Sequence, residues 1–200
     1  APLLQSLSSS ARALVVAEAS RGSLRELCSL AWAMVSLDAD APELLRVAAQ
    51  EALLQQSQAH PQDLSNLAWA LARARQGSGE EFLRRLGEEV AGGRSLARRL
   101  QGAAPGALAN LAWACGKLGV RGPLPEILSS NSVGRLKDFR APELGKLVWA
   151  IAALATGTEG FFSEAAEEAA RRAGDFTPTG LVGILWAFGS TNFHVDSVAT

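Results

Sequence analysis

Ten polar side chains in the middle of this 200-residue chain carry most of the chemistry its residue types offer: Arg73, Arg75, Arg94, Arg98, Arg99, Lys117, Arg121 and Lys146, with the amides of Asn66 and Asn110. Guanidinium and ammonium groups neutralise phosphate oxygens, and an amide can present both a donor and an acceptor to the edge of a base. The charges are unevenly placed. Positions 73–146 hold 13 Lys or Arg against 7 Asp or Glu, while the two flanks together hold 6 against 13. The net charge of −1 therefore conceals a basic middle between acidic ends. A solvated helix face accounts for several of the same arginines, and near-neutrality is a poor credential for a protein that draws its affinity from phosphates.

Catalytic chemistry has little footing. His60 and His194 stand beside Pro61 and Phe193 in predicted turns, with no Ser, Cys or carboxylate at a telling spacing. The acid pairs Glu80-Glu81, Glu88-Glu89 and Glu167-Glu168 read as exposed helix residues and helix-start charges. The glycines at 77–79 and 91–93 lack the following Lys-Ser/Thr and the preceding strand of a phosphate-cradling loop. Cys28 and Cys115 lie 87 positions apart with no ligand-like neighbours, so they read as small buried hydrophobes. No enzyme activity, cofactor, metal or small-molecule substrate is expected. The longest apolar stretches, near 147–155 and 181–188, are far shorter than the roughly 20 residues that span a bilayer.

The elements that must position these groups are announced by tryptophan. Trp32, Trp69, Trp113, Trp149 and Trp186 are separated by 37, 44, 36 and 37 residues. Each is followed by Ala, preceded two back by Leu or Ile and five back by Leu. Such a period is that of a helical repeat array. Proline stands seven or eight residues ahead of four of the tryptophans (Pro61, Pro105, Pro142, Pro178), where the first turn of a helix tolerates it. A second helical run follows each motif, clearest at 43–56, 80–90 and 159–172. The long gap predicts a longer loop or helix extension near 91–106, and the prolines and glycine at 123–134 predict a short or broken helix. Residues 3–20 read as the second helix of a further, partial repeat.

On each Trp-bearing helix, positions −5, −2, +2 and +5 from Trp fall within about 80° and are mostly apolar. This predicts the face that packs on the second helix. The tryptophan, with mostly small residues at −4 and +3, reads as a core wedge against the next repeat. Positions −7, −3 and +4 form the strip left to solvent, and their chemistry varies between repeats: Gln62, Asn66 and Arg73; Gly106, Asn110 and Lys117; Pro142, Lys146 and Ala153. The expected fold is all-α, a solenoid of stacked helical hairpins with about four linked repeats and partial end repeats. It forms one domain over 1–200. A start without Met and an end just after a Trp motif suggest a fragment of a longer repeat protein.

The segments PQDLSNLAWALARAR (61–75), PGALANLAWACGKLG (105–119) and APELGKLVWAIAAL (141–154) resemble octotricopeptide repeats, a helical-hairpin family of organellar RNA-binding proteins related to RAP-domain-associated and heptatricopeptide repeats. The first motif lacks the proline, and the last lacks basic or long polar residues on its strip. The resemblance implies binding of single-stranded RNA or ribosomal RNA in a chloroplast or mitochondrion, in RNA stability, processing, translation or ribosome assembly. Its alternative is a non-catalytic scaffold that grips protein subunits of an organellar assembly, which the near-neutral charge favours.

Overall fold

Proline or a side-chain cap opens eight of the ten described α-helices of this chain. The computed structural model describes residues 22–93 and 95–191. Over that span the protein is all-α, with ten α-helices, two short 3-10 helices at Leu136–Asp138 and Ala173–Asp175, and no strand among the described residues. The helices are α1 (Leu24–Ser36), α2 (Pro42–Leu54), α3 (Pro61–Arg73), α4 (Ser78–Ala91), α5 (Ser95–Gln101), α6 (Pro105–Leu118), α7 (Pro123–Ser132), α8 (Ala141–Leu154), α9 (Glu159–Arg171) and α10 (Pro178–Ser190). The helix predicted for 3–20 lies outside the described residues.

The five tryptophans sit on α1, α3, α6, α8 and α10, hereafter the A helices. Pro61, Pro105 and Pro178 take the first helical position and Pro142 the second, where a missing N–H costs nothing. The first motif, without proline, starts instead with a capping box between Ser23 and Glu26. Closure is equally regular. The residue six after Trp adopts the left-handed conformation at Asp38, Arg75, Gly119 and Ala155, although only one of the four is glycine. Near 91–106 the extra length becomes a separate short helix, α5, anchored by buried Leu96 and Leu100. The prolines at 123 and 125 begin α7 rather than break it, and Gly134 at φ +78° follows its short run.

The A helices pack on one another in chain order, and α2, α4, α7 and α9 form a second layer behind them. One continuous apolar core runs between the layers. Its A-helix contribution is largely the face expected: Leu27, Leu64, Leu67, Leu71, Leu108, Leu111, Leu144, Leu147 and Ile151 are all fully or almost fully buried. Each such side chain withdraws from water at a gain of roughly 2 kcal/mol. Cys28 and Cys115 lie in this core. Burial pushes both thiols up to about 12, with Asp63 adding to the effect at Cys28.

A second repeat-spaced device joins neighbouring hairpins. Arg99, Arg135 and Arg172 each stand 14 residues before a tryptophan. The Arg135 guanidinium donates to the carbonyls of Gln101 (2.7 Å) and Ala103 (2.9 Å). Arg99 donates to those of Gln56 (2.9 Å) and Ala59, and Arg172 to that of Phe139 (2.9 Å). Ala59, Ala103 and Phe139 each directly precede the N-cap of an A helix. The planar fork thus ties the end of one second-layer segment to the start of the preceding A helix.

Candidate nucleic-acid interface

Because the A helices pack in register, residues at equal offsets from Trp meet. The rings of Trp32 and Trp69 lie 6.1 Å apart, and those of Trp69 and Trp113 lie 6.3 Å apart, both pairs tilted. The middle three rings pack against the core and the neighbouring helix as the small neighbours suggested, whereas the rings at the two ends do not. Trp32 is 43% exposed and Trp186 49%, and the three between are half-buried. On a 3.6-residue wheel Trp lies only some 20–60° from positions −7, +4 and −3, so the ring rims the polar strip while its inner edge rests on the adjacent helix. At Gly116 that approach is close: an added Cβ would stand 3.1 Å from Ala150 and from the Trp149 ring.

Beside the ladder runs the polar strip. Gln62 Nε2 donates to Asn66 Oδ1 (2.9 Å) and Ser65 Oγ (3.3 Å) on α3. Between α6 and α8, Lys146 Nζ donates to Asn110 Oδ1 across 3.2 Å. At the C-terminal end of α3 the Arg73 guanidinium lies 5.8 Å from the Trp69 ring centroid and pairs with Asp38 at 2.9 Å. A groove of about 670 Å³ opens at the N-terminal ends of α3, α6 and α8, lined by Gln62, Gly106, Asn110, Arg140, Glu143 and Lys146 among others.

Its electrostatics are set by partial burial. Desolvation pulls the Lys146 ammonium below the ordinary lysine range; Glu143 opposes that shift and Arg140 adds to it. Burial works to raise the Glu143 carboxyl, but hydrogen bonds from the Arg140 side chain and backbone together outweigh it and hold the group below its usual range. Gly106 leaves room for this carboxylate, since a Cβ there would stand 2.9 Å from Glu143 Oε1.

The ten residues singled out in sequence are thereby sorted. Asn66, Asn110 and Lys146 share the strip. Arg73 and Lys117 lie in the last turns of α3 and α6, and exposed Arg75 and Arg121 follow them. Arg98 is exposed on α5, away from that end. Arg99, its neighbour, is engaged inside the fold by two carbonyls, and burial lowers its pKa against an opposing pull from Glu89. Arg94 lies outside the described residues. Sequence reasoning did not single out Arg140 and Glu143, whose N-terminal pairing is a capping box three residues apart that the sequence does carry.

A scan against protein-family models finds no match to this chain, and a search of curated proteins finds no similar sequence. The site therefore has to be read from its own chemistry. Among the described residues no group of three or more His, Cys, Asp or Glu side chains is placed to hold a metal ion. Likewise, no helix among them is long and apolar enough to cross a membrane.

Proposed function

We propose that this chain is an α-solenoid of octotricopeptide-like repeats that holds single-stranded RNA along the exposed strip of its A helices, in the service of RNA stability, processing, translation or ribosome assembly in an organelle. The observation that carries this reading is the in-register row of partly exposed rings of Trp32, Trp69 and Trp113, with Asn66 and Arg73 on α3, Asn110 on α6 and Lys146 on α8 along the same helix stack. Aromatic rings stack bases without regard to sequence, cations meet the backbone, and amides address base edges. The octotricopeptide assignment and the organellar address rest on the resemblance of the 61–75, 105–119 and 141–154 segments alone.

The reading is tested by titrating the protein with single-stranded RNA at low and moderate salt. Affinity that falls as salt rises, and weakens further in Arg73→Ala/Lys117→Ala, supports it. Absence of binding at low salt rejects it. The near-neutral net charge then favours the second reading, a scaffold whose strip grips a protein subunit of a larger assembly.

A further inference from the structure

The groove at the N-terminal ends of α3, α6 and α8 separates its hydrogen-bonding functions by position. On α3, Gln62 Nε2 is committed to Asn66 Oδ1 and Ser65 Oγ, which leaves Gln62 Oε1 as an acceptor and Asn66 Nδ2 as a donor. Between α6 and α8 the pattern differs. Lys146 Nζ holds Asn110 Oδ1 at 3.2 Å, so the pair offers the Asn110 amide hydrogens and the remaining ammonium hydrogens against one lone pair left on Oδ1, and is predominantly a donor. Two carboxylates also line the groove: exposed Asp138, and Glu143, whose oxygens accept from Arg140 (Oε1 from Nε at 2.9 Å and from Nη2, Oε2 from the backbone N–H at 2.9 Å). Burial of the pair sharpens its demand, because water competes weakly for donors inside a groove.

Base edges differ in the same terms. Guanine carries two adjacent acceptors, O6 and N7, on one edge, whereas adenine sets a donor beside N7. Cytosine sets two acceptors, N3 and O2, side by side on its unpaired edge, so the pattern separates guanine from adenine and uracil rather than from cytosine. Uracil sets an N–H between its carbonyls. Resting on the RNA-binding reading above, we propose that Asn110 and Lys146 form a guanine-selecting subsite, with O6 and N7 of one unpaired guanine bridging the amide and the ammonium. Trp113 and Trp149 stand three residues, about one helical turn, further along the same two helices. The Gln62/Asn66 pair, with one donor and one acceptor, does not share this preference.

The test is a fluorescence-anisotropy titration of the whole chain at low salt with short oligouridines carrying, at the centre, guanosine, adenosine, cytidine, inosine, or a guanosine whose N7 is replaced by carbon. The expected result is about tenfold tighter binding with guanosine than with adenosine. Inosine, which keeps O6 and N7, retains the preference, and the N7-substituted analogue loses it. In Lys146→Met and in Asn110→Asp the guanosine-to-adenosine ratio falls to near one. Asn110→Asp keeps a partner for Lys146, so it decides the matter should Lys146→Met disturb the fold by circular dichroism. Equal binding of all the oligomers, or a guanosine preference that survives Asn110→Asp, overturns the subsite while leaving RNA binding standing. No binding to any oligomer overturns both.

Discussion

At the scale of single residues, arginines of one chemical type do different work here, and what separates them is the partner. Arg98 is exposed, whereas Arg99 and Arg135 are half-buried against backbone carbonyls. Arg135→Ala should cost about 1–2 kcal/mol in urea unfolding, since two carbonyls lose a charged donor at a partly exposed site. Arg135→Lys should recover less than half, because one ammonium cannot span both acceptors as a guanidinium fork does. The 14-residue offset of these arginines from Trp was available in the sequence. Its meaning was not, because a carbonyl acceptor leaves no mark in residue identity. Lys146 supplies a second residue-scale expectation. Its folded pKa is lowered from the ordinary 10.5 by burial, so the folded state disfavours its charge near neutrality. Stability contributed by this group then rises as pH climbs through the lowered pKa towards 10.5. Any stability advantage of Lys146→Met over the parent should accordingly narrow as pH is raised over that alkaline range, read from urea midpoints; an advantage that widens would contradict it.

At the scale of elements, the A helices were legible because several independent signals coincide at each: Pro or a capping box at the start, Leu at −5 and −2, Trp-Ala at the centre. The second-layer helices carry fewer signals, and the sequence leaves the α5 region open between a loop and a helix extension because its seven residues hold only two core contacts, Leu96 and Leu100. The wheel placed the apolar face correctly, and the core reading of the ring holds for Trp69, Trp113 and Trp149 but not for Trp32 and Trp186. A tryptophan at the edge of a buried face can rest one side on a neighbour and leave the other to solvent, and periodicity alone does not choose between these. Helix ends give the element-scale prediction. Ala155 closes α8 at φ 53° and ψ 44°, a conformation that costs an L-residue roughly 1 kcal/mol and costs glycine little. Gly119 fills the corresponding place after α6 at φ 70°. Ala155→Gly should therefore stabilise the protein by about 0.5–1 kcal/mol, with the gain in unfolded-chain entropy offsetting part of the relief. Thermal denaturation measures it, and a fall in midpoint would show that the left-handed turn is not what limits this helix end.

For the molecule as a whole, the charge distribution sets how RNA binding should respond to salt. The net charge of −1 sums a basic middle and acidic flanks, so phosphate contacts should concentrate on the middle A helices. Within it, Arg99 and Arg135 are held by carbonyls, and Arg84 and Arg85 pair with Glu81 and Glu88 on α4 in the second layer. Of the other described cations there, Arg98 lies on α5, Lys137 on the 3-10 helix and Arg140 pairs with Glu143, so the A helices and the turns that close them carry Arg73, Arg75, Lys117 and Arg121 at the C-terminal ends of α3 and α6, and Lys146 further along the strip. If about four of these meet phosphates, the logarithm of the association constant should fall with the logarithm of salt at a slope near −3, since each contact on a single strand contributes about 0.7. Arg73→Ala/Lys117→Ala should lower that slope by about 1.4 and weaken all RNA sequences alike. Arg73 also pairs with Asp38 and lies over Trp69, so the double variant needs a companion that removes only the pair: Asp38→Asn should leave the slope unchanged or slightly steeper, because it frees the guanidinium. A slope near zero in the parent protein would place its affinity in stacking and amide contacts, and would remove the arginines and lysines of the middle segment from the interface.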